Sequence, residues 1–539
     1  MDDFRPWLVI VLLLIPCLVQ LSRVGRRRAH SPPGPPTIPV LGNLLQMPSR
    51  DIHKQYRAWA EEYGPAFTLM LGPQPMVVLS TNVAVKEVLD KHSAVTNERG
   101  DHYVGHRILG GGEHMLLMPN GPKWRLQRKL MQKMLNVSVS QSYIPYTMLE
   151  NQQMLFDLLQ MPDDFQGIIK RASHSLFTSM TYGRRCPSHK DSNMSQFIEL
   201  LDEMLDIMQS STSALADVFP LLRFLPDWML PIMTQAKTLH RKQTTLYLRF
   251  WNETKDLLRN GYAKPCFSVD LLLEQEKEGF DDKFGAYLAG NALEAGTDTT
   301  ASEMIGFIQA MVLFPEAQKK AQAELDRVVG DRMPTIEDME SLPYIRCCIK
   351  ETLRWMPTAV MGAAPHACKE EVPFQRYIIP KGALLVNNVY TINRDPSRYA
   401  NPDQYEPERY MGDNKHASES AQSANVAERD HFTFGAGRRL CAGIHVAEQS
   451  LFLGIARILW TYKITPKLDP VTKQPLLPDQ DKYTQGVVCM PESFQATIKA
   501  RSPERANRIV MEWTEAQKQL DDNSQWKVFG EGLRFTKIS

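Results

Sequence analysis

The stretch Phe434-Gly435-Ala436-Gly437-Arg438-Arg439-Leu440-Cys441-Ala442-Gly443 constrains this chain more than any other. It sets one cysteine in a loop of glycines and arginines, just ahead of an apolar run over 444–460 that is patterned as a helix. A thiol becomes a strong metal ligand only once its proton is gone. Backbone N–H groups, a helix N-terminus and nearby cations all favour that loss. Glycines at 435, 437 and 443 let the backbone pass close to something flat without side-chain collision. The plainer alternative is a buried structural cysteine beside a Gly-rich turn. Cys441 with His445 could be half of a zinc site, but no second ligand pair accompanies it.

Length and composition frame that loop. A chain of 539 residues leaves room for about three domains, yet no interior linker is convincing. With 43% hydrophobic residues a large core is available. A net charge of +1, with no basic block outside the N-terminus, argues against a nucleic-acid surface. The eight cysteines show no CxxC pair and no disulfide-rich spacing, so they read as reduced thiols in a cytosol-facing domain.

The N-terminus departs from this ordinary composition. Residues 6–21 are nearly all apolar, a run shorter than the roughly 20 residues a helix needs to cross hydrocarbon. Bilayer thinning and anchoring by Trp7 and Arg23 can close that gap. The rival is a cleaved signal peptide, but Asp2 and Asp3 lead the run and no small-residue cleavage site follows it. Arg23, Arg26, Arg27 and Arg28 follow instead, an excess that keeps the body of the protein in the cytoplasm. Residues 1–22 are therefore expected to be a retained membrane anchor, and 23–39 a basic hinge stiffened by Pro32-Pro33-Gly34-Pro35-Pro36.

From residue 40 to about 500 the patterns are mostly long helices, with strand-like pieces at 76–79 and 384–388. Residues 417–427 read as a polar surface loop, and 504–519 as an amphipathic helix with no assignable role. The segment 218–230 is too apolar and too broken by proline for an ordinary surface helix, and core is one reading of it.

Three further motifs carry chemistry. Glu351 and Arg354 stand at i and i+3, so carboxylate and guanidinium share one helix face. Tyr405-Glu406-Pro407-Glu408-Arg409-Tyr410 follows some fifty residues later. Ala295-Gly296-Thr297-Asp298-Thr299-Thr300 lies inside a helical run over 282–314. There, glycine and threonine hydroxyls weaken regular helix bonding, glycine by about 1 kcal/mol. Trp124 and Arg128 are one helical turn apart.

In this order the motifs resemble those of the cytochrome P-450 (haem-thiolate monooxygenase) family over residues 32–500. The loop matches Phe-x-x-Gly-x-Arg-x-Cys-x-Gly at Phe434, Gly437, Arg439, Cys441 and Gly443. Glu351, Arg354 and Arg409 match its ExxR and Pro-Glu-Arg-Phe elements, with Tyr410 in place of Phe. Residues 295–299 match its distal helix element, and Trp124 with Arg128 its C-helix pair. Local sequence is most similar to filamentous-fungal members that act in secondary metabolism.

The resemblance implies a mainly α-helical fold with minor β-sheets. One large haem domain (40–500) would stand behind an N-terminal transmembrane helix, with residues 501–539 as an extension. It implies haem b with Cys441 as the axial iron ligand, an electronic device that favours O–O cleavage. Trp124, Arg128, His366 and Arg439 would bind the cofactor, the cations pairing with its propionates. Asp298 and Thr299 would be catalytic, relaying protons to bound dioxygen. Glu351, Arg354 and Arg409 would form a buried charge network that fixes the cysteine loop.

No flavin or nicotinamide fingerprint is present, so electrons would come from NADPH through a separate FAD/FMN reductase, with cytochrome b5 a further donor. Lys129, Lys133 and Arg438 are candidates for its docking surface. The implied home is the endoplasmic reticulum membrane, single-pass, with the catalytic domain facing the cytoplasm. In the family, 218–230 dips into the membrane. The pocket would be lined by 103–117, 291–294, 359–364 and 485–488, and would suit a sizeable hydrophobic small molecule. The alternatives are a haem-thiolate isomerase or dehydratase that does not use O2, and a non-catalytic haem-binding protein.

Overall fold

Helices carry most of the described chain, and the longest is buried over most of its length. The computed structural model describes residues 19–527. The helices that frame the site are α1 (Pro122–Met134), α2 (Ile144–Gln160), α3 (Phe165–Tyr182), α4 (Pro231–Arg259), α5 (Asp282–Leu313), α6 (Pro343–Trp355), α7 (Ile444–Thr461) and α8 (Pro503–Gln517). Asp281 starts α5 by accepting from the Phe284 N–H at 2.8 Å. Its 32 residues are apolar on nearly every side, the pattern of a helix surrounded by protein. α5 packs against α3, α4 and α7.

Gly296 has a packing reason rather than a helix-loosening one. A Cβ there would collide with the Phe177 ring of α3. The helix runs unbroken through 295–300, contrary to the expected weakening. The hydroxyls of Thr297 and Thr299 donate to the carbonyls of Leu293 and Ala295, at 2.8 and 2.7 Å. These back-bonds supplement the ladder instead of replacing it.

The sheets are small. The largest has the order β1-β2-β7-β4-β3, built from β1 (Ala66–Leu71), β2 (Gln74–Leu79), β3 (Glu98–Arg99), β4 (His366–Ala367) and β7 (Leu384–Asn387). β2 and β7 run parallel and the other pairs antiparallel. The short β3–β4 pair sets Arg99 directly opposite His366. β5 (Val372–Phe374) and β6 (Tyr377–Ile379) form a hairpin. β8 (Tyr462–Leu468), which continues α7, pairs with β9 (Pro475–Leu476) and β10 (Ala496–Ala500).

The expected helices at 282–314 and 444–460, and the strands at 76–79 and 384–388, are all present. Two expectations are corrected. Residues 417–427 are not an open loop. A short helix, Ala417–Gln422, buries Ala417, Ser418, Ser420 and Ala421, and its alanines pack against Ile444 of α7. Small side chains, which look merely polar and inert in the sequence, permit that approach. The core reading of 218–230 holds only in part: Leu221, Phe224 and Trp228 are 82%, 86% and 78% exposed, while Leu230 joins a core cluster and Leu222 and Leu225 pack against it.

The apolar run proposed as an anchor lies almost wholly outside the described residues. Among the described residues no helix is long and apolar enough to cross a membrane.

The tail has a partner. α8 lays Trp513 against Phe156 of α2, and the chain beyond it lays Trp526 against Tyr146, with ring centroids 6.2 and 6.0 Å apart. Behind them Glu150 is clamped between Arg171 and Arg185, both contacts at 2.7 Å and all three side chains buried. Arg185 also donates to the Ser524 carbonyl at 2.8 Å, so the tail completes the coordination of a buried cation.

Gly296→Ala should destabilise the fold by about 1–3 kcal/mol through overpacking. The loss should shrink when Phe177 is also cut to Ala, which a double-mutant cycle in denaturant measures.

Candidate functional site

The loop that presents Cys441 is held from below by buried charge. Glu351 and Arg354, one turn apart on α6, meet in a two-point ion pair of 2.7 Å per contact, with no exposure of either side chain. Arg409 reaches the same carboxylate at 3.3 Å, and the Glu406 N–H donates to it at 2.8 Å. The remaining Arg354 protons go to the carbonyls of Asn393, Pro402 and Gln404, at 2.9, 2.7 and 3.0 Å. Full satisfaction of this kind is what allows charge to stay buried. Burial lowers the Arg354 pKa, but Glu351 more than offsets this and leaves it raised.

Asn393 carries the constraint onward. Its side-chain oxygen accepts the Phe432 N–H at 3.0 Å, and its amide donates to the Thr433 hydroxyl at 3.3 Å. Thr433 in turn donates to the Leu353 carbonyl at 2.6 Å. The chain then turns back on itself, Gly435 N–H to Phe432 carbonyl at 2.9 Å and Cys441 N–H to Phe434 carbonyl at 3.0 Å. Asp90 clasps the loop from the other side, accepting the Gly437 N–H at 2.9 Å while paired with Arg429.

The glycines divide their work. Gly437 has a φ of +63° and lies against the Leu89 carbonyl, so it answers to the protein. At Gly435 and Gly443 a Cβ would meet nothing, so both face open space. Cys441 is itself exposed to that space, although the loop lies deep in the molecule. Its thiol pKa is pushed up by burial and pulled back by the Gly443 N–H and the Arg128 charge. Those two groups are the ones that favour a thiolate.

Beside the loop the cations outnumber the carboxylates, with Glu98 facing Arg439. Arg128 donates to the Leu440 carbonyl, one residue before Cys441. Arg439 stacks over the Trp124 ring at 4.1 Å and donates to the carbonyls of Asn97 and Met118, at 2.9 and 2.8 Å. Burial and Arg128 depress the Arg439 pKa to about 10, against an opposing pull from Glu98. His366 Nδ1 lies 3.0 Å from the Thr96 carbonyl and so donates to it. Burial first, then Arg99 and Arg439, hold the His366 pKa well below its ordinary value. It is therefore neutral here, and Nε2 is left to take a proton when an anion arrives.

Arg99 itself donates to the carbonyls of Leu116 and Ala364, at 2.8 and 2.6 Å. Its pKa too is driven down, by burial and by Arg439. The sequence reading missed Arg99. No motif marks it, and only the β3–β4 pairing brings it to His366.

α5 packs against α7, the helix that follows the cysteine loop. Ala295 is exposed in the middle of this otherwise buried helix, and Asp298 and Thr299 are half-buried beside it. Burial raises the Asp298 pKa to about 6, with Lys170 opposing and Asp202 and Glu294 assisting. Glu294 is tied into a network unseen in the sequence, accepting from Gln243 at 2.7 Å and from Tyr247, and lying 3.0 Å from His114 Nε2. With the Met115 N–H on Asn291 at 3.1 Å, it pins the 113–115 loop to α5.

These features fit a flat, doubly anionic macrocycle with a metal centre. An accessible thiol, glycines facing open space, an exposed Ala295 and under-neutralised cations coincide. Every expected site residue except the Asp298–Thr299 pair gathers at the cysteine loop, and that pair lies on the helix α5 packed against α7. Of the candidate docking residues, Lys129 pairs with Glu278 at 2.7 Å and stays exposed, Lys133 pairs with Glu274 at 3.0 Å, and Arg438 is exposed.

The family described as Cytochrome P450 matches residues 32–498, and this chain belongs to it. Similar proteins include the cytochrome P450 monooxygenase virE of Hypocrea virens, 43% identical over 98% of this chain and 96% of its own length. The cytochrome P450 monooxygenase fogE of Aspergillus ruber is 42% identical over 97% of each chain. The cytochrome P450 monooxygenase fsoB of Humicola fuscoatra is 40% identical over 98% of each.

Asn393→Ala should leave the buried Phe432 N–H without an acceptor, at a cost of about 1–3 kcal/mol. Faster loss of haem to apomyoglobin checks this. Asp298→Asn tests the carboxyl. Because its folded pKa is raised to about 6, Asp298 stabilises the fold at acidic pH and loses that contribution as pH climbs from about 4 to 6. The variant should lack that decline when unfolding free energy is measured across the range.

Proposed function

We propose that this chain is a haem-thiolate monooxygenase that inserts one oxygen atom from O2 into a hydrophobic small molecule, in fungal secondary-metabolite biosynthesis. The observation that carries the reading is the accessible Cys441 thiol, on a loop braced through Asn393 by the Glu351–Arg354 pair, with Arg128 beside it. The names of the relatives at 40–43% identity support it.

In this reading Cys441 binds the iron of haem b as thiolate. Arg99, Arg128, Arg439 and His366 hold the propionates, and Trp124 keeps Arg439 in place. The bound haem supplies dioxygen activation, with the thiolate favouring O–O cleavage. The rest falls to the chain.

Thr299 presents a hydroxyl at the α5 wall. Its proton goes to the Ala295 carbonyl, and its lone pairs are free to accept from a water. Asp298, with a pKa of about 6, gains and loses a proton near neutrality, as a relay from solvent requires. The pair argues against a reading that does not use O2. Small and apolar residues at Ala359, Val360, Ala363 and Ala364 leave room for a bulky substrate. Electrons come from NADPH through a separate FAD/FMN reductase. Residues 1–22 anchor the protein in the endoplasmic reticulum membrane, 23–39 form the hinge and 40–500 the haem domain, which faces the cytoplasm.

Cys441→Ser should abolish the red-shifted Soret band of the reduced carbon monoxide complex. A variant that kept the band would remove Cys441 as the iron ligand. Thr299→Ala should keep haem and substrate but uncouple the reaction. NADPH consumption should persist while product per NADPH falls about 10-fold or more and peroxide rises, a magnitude in line with loss of proton positioning.

A further inference from the structure

The tail, which has no role in the reaction so far, ends beyond α8 in a closed turn. The Asp521 carboxylate accepts the N–H groups of Asn523 and Gln525, both at 2.9 Å. The Asp521 N–H donates to the Gln525 carbonyl at 2.7 Å, and the Lys527 N–H to the Gln519 carbonyl at 2.9 Å. Ser524 is held at a φ of +57°, a conformation a serine avoids unless its surroundings impose it. That shape has a target. It turns the Ser524 carbonyl to the Arg185 guanidinium at 2.8 Å. It also lays the Gln525 carboxamide on the Arg185 backbone, accepting its N–H at 2.8 Å and donating to its carbonyl at 3.1 Å.

Arg185 belongs to a short segment, 183–187, that folds back on α3. The Cys186 N–H donates to the Ser175 hydroxyl at 2.7 Å, and the Ser179 hydroxyl to the Arg184 carbonyl at 3.2 Å. Arg185 and Arg171 share the Glu150 carboxylate. Arg171, Ser175 and Ser179 are spaced by four, so they form one stripe of α3. Ser173 and Phe177 form another. A helix turns about 100° per residue, so side chains two residues apart point to nearly opposite sides. One stripe of α3 therefore meets the segment that the tail fastens, and the other faces away from it.

That second stripe holds α5 at the residues just before Asp298. The Ser173 hydroxyl donates to the Thr297 carbonyl at 2.8 Å, with the Gly296 carbonyl 3.4 Å away. The Phe177 ring occupies the space a Gly296 Cβ would need, and His174 Nδ1 comes within 3.4 Å of the Thr297 hydroxyl. The Thr297 carbonyl is also the ladder acceptor for the next turn of α5, the turn that carries Thr299. Every residue of α3 from Arg171 to Tyr182 is buried. A close-packed helix of this kind passes a displacement of one stripe to the other as a body.

We propose that the C-terminal turn, 519–527, is a positioning element for Asp298 and Thr299, acting through Arg185, α3 and Ser173, an inference that rests on the relay reading above. Ser524 and Gln525 fix the 183–187 segment. That segment fixes α3, and Ser173 fixes the carbonyl next to Asp298.

The test uses the haem-loaded full-length protein and two readouts. One is amide deuterium exchange along α5; the other is the infrared C–O stretch of the reduced carbon monoxide complex, with carbon monoxide as the probe of what α5 presents to the haem. Gln525→Ala and Ser173→Ala should each raise exchange at the amides of 297–301 roughly fivefold, the weight of one hydrogen bond, and should broaden the C–O stretch. Ser173→Thr keeps the hydroxyl and should restore both. Met511→Ser, at a position of α8 that is 66% exposed, should change neither. Gln525→Glu keeps the acceptor for the Arg185 N–H, and should give a smaller effect of the same sign if Gln525→Ala is unstable. Raised exchange confined to the tail and 183–187, with an unchanged C–O stretch, would overturn the proposal. So would an effect of Ser173→Ala that the Gln525 variants do not share. The red-shifted carbon monoxide band of the wild-type protein checks the haem-thiolate reading separately, and its absence would overturn both.

Discussion

The Glu351–Arg354 pair is the interaction on which the site depends. Two ions with no exposure are tolerable only when every lone pair and proton is engaged, and here the engagement radiates outward through Arg409, Asn393 and the carbonyls of 402 and 404. The pair therefore acts less as a source of stability than as a fixed point. Removing either ion leaves the other uncompensated, a loss of about 3–5 kcal/mol, and releases the strand of backbone that leads to the cysteine.

A second electrostatic theme runs opposite to the first. Near Cys441 the arginines crowd one another: Arg128 lowers the proton affinity of Arg439, Arg439 that of Arg99, and both Arg99 and Arg439 that of His366, with burial the largest cause in each case. A folded chain sustains such an imbalance when an anionic partner belongs there, and a dianionic haem restores the neutrality. The thiol follows the same logic. It is held up by burial and drawn toward ionisation by Arg128 and the Gly443 N–H, so binding a metal resolves a tension already present.

Much of this was legible in the sequence because the chemistry dictates residues at short spacing. Cys441 with its glycines, Glu351 with Arg354, Asp298 with Thr299, and Trp124 with Arg128 are each local patterns that one helix or one loop suffices to express. Arg99, Asn393 and the His114–Glu294 contact were not legible. They gain meaning only when a strand pairs, a turn closes or a loop settles on α5, and nothing within a few residues of them announces it. Gly296 was singled out for the wrong reason, since its demand comes from the Phe177 ring on another helix. The burial of 417–422 and the docking of α8 were likewise tertiary facts.

The central claim is that this braced loop delivers a cysteine thiolate to iron, and X-ray absorption at the iron edge of the purified, haem-loaded full-length protein addresses it directly. The account predicts one sulfur scatterer bound to iron alongside the porphyrin nitrogens, in the resting state and after reduction. A first shell composed only of nitrogen and oxygen in the folded protein would contradict it.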